Sequence, residues 1–146
     1  MNELELIHWK QEYSVGVDVI DTHHREMVEL INALINNSEG SLAGKKKLFK
    51  KIMTSIRNLA TKHFKTEEKI LSKSKYGRFE EHKKEHENLA EKINLVKSEI
   101  AGIKEDNDLF NLTVNLKEWL LSHILLFDKE AHQYFEAGSK KVKLSG

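Results

Sequence analysis

The chain has no cysteine, which excludes disulfides, thiolate metal sites and thiol nucleophiles together. It has no proline either, so no helix in it is broken by one. A dominant charge sign is also missing: 24 Lys and Arg oppose 23 Asp and Glu, for a formal net charge of +1. No long-range field would draw the protein to nucleic acid or to an anionic membrane, and neither is expected as a partner. The densest basic run, KKKLFKK at 45–51, reads as a solvated helix face rather than a binding patch. Long apolar runs are absent as well. No segment approaches the roughly 20 apolar residues of a membrane span. The first residues, MNELELIHWKQEY, contain no unbroken apolar stretch of signal-peptide length. The expectation is a soluble, cytoplasmic protein of one domain, 1–146, long enough to enclose a core.

What is present is helical periodicity. Residues 1–18 carry scattered aromatics, Trp9 and Tyr13, without a sustained period, and read as an arm lying across other elements. Four amphipathic segments follow at about 19–37, 42–73, 79–101 and 107–136, separated by NNSEGS, KSKYG and GIKEDN. Asp18 or Asp21 could cap the first. Connections of about four to seven residues favour antiparallel neighbours, and hence an all-α, up-down-up-down four-helix bundle with an N-terminal arm. No stretch reads as a strand.

The inward seams of these segments are interrupted by histidine. The first runs Ile20, His24, Met27, Ile31, Leu34, and the second Ile52, Ile56, Leu59, His63, Glu67, Ile70. The third runs Phe79, His82, His86, Leu89, Ile93, Val96, Ile100, and the fourth Leu109, Leu112, Leu116, Trp119, His123, Phe127. Five of the eight histidines therefore lie on seams, with at least one on each helix. Residues four apart on a helix have Cβ atoms about 5–6 Å apart, so His82 with His86, and His63 with Glu67, can aim at one point.

A single seam histidine is more often a hydrogen-bonded core residue than a ligand. Five on four seams are another matter, because each buried unpaired polar group costs about 1–3 kcal/mol and the seams offer few acceptors. A metal takes one imidazole lone pair while the other ring nitrogen donates elsewhere. Five imidazoles exceed a tetrahedral zinc site. They suit two ions with bridging carboxylates, for which Glu67 is a candidate by position. Asp128 lies five residues after His123 and, in a regular helix, is rotated about 140° from it. Either the helix bulges there, as single π-turns do at functional sites, or Asp128 is a surface charge; spacing leaves both open. His8 and His132 read as arm or surface residues, His132 on the helix face opposite His123.

These residues resemble the hemerythrins, and among them the single-domain bacterial hemerythrins. The likeness covers most of the chain: Trp9, YSVGVDVID at 13–21 with His24, HFKTEE at 63–68, HKKEH at 82–86 and HILLFD at 123–128. It implies two iron ions per chain joined by an oxo or hydroxo bridge, a non-heme di-iron site in the bundle core. Residue by residue it implies His82, His86 and His123 on one iron, His24 and His63 on the other, and Glu67 and Asp128 bridging them. Two positions depart from the family. His23 stands where glutamine is usual, which raises the question of whether His23 or His24 is the ligand; the seam favours His24, with His23 about 100° round the helix. Tyr76-Gly77 stands where Tyr-Pro is frequent and keeps the turn chemistry.

If both irons are six-coordinate, the imidazoles, the carboxylate oxygens and the bridge fill every position but one. The open position falls on the iron held by His24 and His63 and admits one small diatomic ligand. Carboxylate-rich di-iron bundles that oxidise substrates use a Glu-x-x-His motif, and none of the five seam histidines follows a glutamate at that distance. The resemblance thus implies reversible binding of molecular oxygen, for transport, storage or delivery, rather than an enzyme. Two other readings share the site. One is a sensor of oxygen, nitric oxide or redox state that acts through a protein partner; the other is a di-iron oxidase or peroxidase.

Overall fold

In a computed structural model, which describes residues 4–145 and the side chains of 4–142, the first helix α1 is Asp18–Ile35. Asp18 and Asp21 put negative charge in its first turn, where the helix dipole favours it. Neither caps it, because Val17 holds the cap position. Asp21 instead turns back to the arm and accepts from the Val15 N–H at 2.9 Å and the Ser14 hydroxyl at 2.5 Å. The second helix, α2, Leu42–Ser74, is capped by Ser41, whose Oγ accepts from the Gly44 N–H at 3.1 Å. Its 33 residues span about 50 Å. It packs against α1, against α3 (Phe79–Glu99) and against the last helix.

A 3-10 turn at Ile100–Gly102 leads to α4, Asp106–Ser122, which packs on α1. The next six residues, His123–Asp128, are π-helical. A turn at Ala131 then opens α5, His132–Ser145. This helix runs past the end near 136 that periodicity suggests. Ala131, Phe135 and Gly138 are buried and Val142 is half-buried, so an inward-facing series continues along it, and its glycine leaves no mark in an apolar seam. Among the described residues there is no strand, and no helix is long and apolar enough to cross a membrane.

The apolar core is divided in two. The larger cluster holds Met27, Ile31, Phe49, Ile56, Ala60, Ile93, Leu116 and Ile124, among others. The smaller holds Val15, Val17, Ile20, Ile70, Leu71, Ala131 and Phe135. Along α1 and α2 the seam histidines fall between members of the two, His24 between Ile20 and Met27 and His63 between Ala60 and Ile70. A buried polar layer is thereby closed by apolar packing above and below.

The basic run at 45–51 is less solvated than its composition suggests. Lys47, Lys50 and Lys51 are exposed, but Phe49 is 1% exposed and lies in the larger core. Lys45 is buried against Asp106 at 2.7 Å, and Lys46 tethers the Ala101 and Ile103 carbonyls at 3.0 and 2.8 Å. Helical phase puts one face of even a lysine-rich segment inward. The arm is pinned along its length. The Asn32 amide pairs with the N–H and carbonyl of Ile7 at 2.8 and 2.9 Å. The Lys129 ammonium donates to the Ser14 carbonyl at 2.9 Å. Trp9 lies 4.9 Å under the Arg25 guanidinium and edge-on to Tyr13.

Candidate metal centre

Glu67 and Asp128 lie at the centre of the polar layer, both 0% exposed. Each divides its two oxygens between two sets of imidazoles. Glu67 Oε1 faces His63 Nε2 in close contact and His24 Nε2 at 3.5 Å. Glu67 Oε2 faces His82 Nε2 at 2.9 Å and His86 Nε2 at 3.2 Å. Asp128 Oδ2 is 2.8 Å from His24 Nε2, and its Oδ1 is 3.0 Å from His82 Nε2 and 3.1 Å from His123 Nε2. The structure therefore brings together all seven side chains singled out from the sequence. They form two groups that share both carboxylates: His82, His86 and His123 in one, His24 and His63 in the other. Within each group the candidate ligand atoms all lie within 4.8 Å of one another.

The π-helical segment is what admits Asp128. Its backbone bonds span five residues, so residues five apart stack on one face, and His123 and Asp128 point into the same layer. The step of about 140° that an ordinary helix would impose does not arise.

The donor set fits iron. Buried nitrogens and oxygens normally find hydrogen-bond partners. Here His24 Nε2, His63 Nε2, His123 Nε2, Glu67 Oε1 and both Asp128 oxygens are buried and lack one among the described residues. Several of these atoms are within contact distance yet out of hydrogen-bond alignment, as expected of lone pairs aimed at a common cation. Imidazole and carboxylate together suit a divalent first-row ion such as iron.

Without an ion, the charges compensate one another. Burial opposes a positive His24, His82 or His123, but the Asp128 and Glu67 carboxylates outweigh it and raise them to about 9, 9 and 10. Burial likewise opposes charge on the two carboxylates, and the surrounding imidazoles hold both well below the usual range. Burial wins at His63 and lowers it despite Glu67. An ion in the layer would displace the protons, as coordination to imidazole requires.

A sequence profile of the hemerythrin HHE cation binding domain matches residues 15–135. The chain belongs to the hemerythrin family. Bacteriohemerythrin of Clostridium acetobutylicum is 27% identical over 125 residues, 84% of this chain and 95% of its own length. That of Methylococcus capsulatus is 29% identical over 119 residues, 81% of this chain and 87% of its own length. Hemerythrin subunit alpha of Lingula reevii is 28% identical over 117 residues, covering 80% and 84%. A crystal structure of wild-type hemerythrin superposes with a TM-score of 0.76 at 25% identity, over 90% of this chain and 98% of that one.

Of two further residues at the site, the sequence reading gave Glu68 no role and weighed His23 only as a rival ligand to His24. Glu68 Oε2 lies 3.0 Å from His86 Nδ1, and His23, 5% exposed, places its Nδ1 3.1 Å from His63 Nδ1. The signal for Glu68 was adjacency to a seam residue, in EE; His23 was marked by the same adjacency, in HH, and by standing where glutamine is usual. Burial and a Lys62 charge lower the pKa of His23. His8 is exposed, and His132 is spent on the Lys129 carbonyl at 2.8 Å. A cavity of about 50 Å³ adjoins the layer, lined by His23, His24 and His63 with His123 of the other group, and walled by Met27, Ile31, Ala60 and Trp119.

Proposed function

We propose that this hemerythrin holds two iron ions and binds molecular oxygen reversibly. His82, His86 and His123 would hold one ion and His24 and His63 the other, with Glu67 and Asp128 shared. Two ferrous ions held there would supply the two electrons that oxygen takes up on binding and gives back on release.

The observation that carries this reading is the cavity of about 50 Å³ beside His24 and His63. A single water needs about 10–15 Å³, whereas pockets for organic ligands run to roughly 300–1,000 Å³. A diatomic gas matches the available space and an organic substrate does not. Apart from the histidines the walls are aliphatic and aromatic, which limits the water and acids whose protons would drive off reduced oxygen.

The chain's other contributions are positional. Glu68 accepts the Nδ1 proton of His86, which leaves the Nε2 lone pair for an ion. Phe64 stacks on His86 with ring centroids 4.3 Å apart and fixes its plane.

The test is spectroscopic. Iron-loaded protein is reduced without air, exposed to oxygen and then purged, while the visible spectrum is recorded. A charge-transfer band should appear and disappear through repeated cycles. Bleaching in the first cycle, with peroxide in solution, would overturn the reading. His63→Leu should lower iron from two to about one per chain and abolish the band, since His63 faces one group only; two irons with the band intact would refute its role.

A further inference from the structure

We propose that His23 is a positioning residue for His63, accepting a hydrogen bond from its Nδ1–H and thereby fixing the tautomer and ring plane that turn Nε2 toward the site. This rests on the two-ion reading above.

The geometry leaves little choice. The two Nδ1 atoms are 3.1 Å apart, and the rings meet at 84° with centroids 5.2 Å apart. On the far side of its ring, His63 turns Nε2 to Glu67. A neutral imidazole has one N–H, so giving the Nε2 lone pair to an ion leaves the proton on Nδ1. His63 Nδ1 must then donate, and the nitrogen that faces it must accept. His23 therefore carries its own proton on Nε2 and sits in the cavity wall as a neutral acceptor.

The two groups consequently differ in support. His86 donates to a carboxylate, Glu68, and His63 donates to a neutral ring. A carboxylate makes the imidazole a stronger base than a neutral acceptor does. The ion beside the cavity is thus held by the less electron-rich ligand and should be the first of the two to leave.

Zinc is the probe, because it is redox-inactive and diamagnetic. Metal-free full-length protein is titrated with zinc against a competing chelator. Wild type should take up two ions with unequal affinities. In His23→Leu the weaker site should lose roughly 10–100-fold and the stronger stay within about threefold, while His23→Gln, which keeps an acceptor, should stay within about threefold at both. Unchanged affinities in His23→Leu would overturn the proposal, as would equal losses at both sites in both variants, which would mean packing alone. Nitrogen NMR of zinc-loaded wild type tests it without any variant. Scalar coupling between the two Nδ1 nuclei, with the proton on His63, is expected; absence of coupling, or a proton on His23 Nδ1, overturns it. Uptake of fewer than two zincs by wild type would overturn the two-ion reading and this one with it. Two zincs with His23→Leu unaffected would overturn only this one.

Discussion

Glu67→Ala is expected to empty both halves of the site. Its Oε1 lies beside His63 and His24 and its Oε2 beside His82 and His86, so one substitution removes an oxygen from each group. His63→Leu touches a single group, and the contrast between the variants separates a shared residue from an unshared one. Iron per chain after anaerobic loading should fall from two to well below one, and the oxygen band should vanish. The metal-free fold should also weaken. Removing one partner from a buried charge network costs about 3–5 kcal/mol, because the remaining charges lose compensation. Glu67→Gln keeps the shape without the charge and should lose iron with a smaller loss of stability. Two irons per chain in Glu67→Ala, measured by elemental analysis, would end the view of Glu67 as the shared residue.

Gly138→Ala should be the most damaging of the conservative changes outside the site. A Cβ there would lie 2.0 Å from the Ile70 carbonyl oxygen and 2.9 Å from its carbon. That obstacle is backbone in the middle of α2's last turns and cannot rotate aside, so α5 must lift from α2. Overpacking of this kind costs about 3 kcal/mol, or roughly 10 °C in Tm for a chain of this size. The same shift would disturb the floor of the metal layer, since α5 carries Phe135, which is fully buried and edge-on to His82 at 5.8 Å. Thermal unfolding with and without metal measures both effects. Gly102→Ala is the control: nothing lies within 4 Å of a Cβ there, and its Tm should hold or rise slightly. Equal Tm values for the two variants would show that the close approach of α5 to α2 carries no stability.

Much of this molecule is legible residue by residue. Histidines at helical spacing on four separate seams can be read as an inward-facing set without coordinates, because which face of a helix a residue occupies depends only on its position along that helix. The same arithmetic fails at Asp128. Its five-residue offset from His123 points away from the site in an α-helix and toward it in a π-helix, and the choice between them costs too little locally to read from HILLFD. His23 fails for a related reason. One step of about 100° from a seam residue looks like the edge of a helix, yet α1 is flanked by both α2 and α4, so its buried face is wider than one seam.

The sequence by itself determined an all-helical chain with five inward imidazoles and a glutamate among them, since these follow from composition and period within each segment. Only the tertiary structure decided which oxygen of Glu67 or Asp128 meets which ring, that His23 faces His63, and that Gly138 must stay small. Each of these is a contact between segments, set by the axial offset and rotation of one packed helix against another. Those quantities are fixed by the whole core at once and leave no local pattern to read.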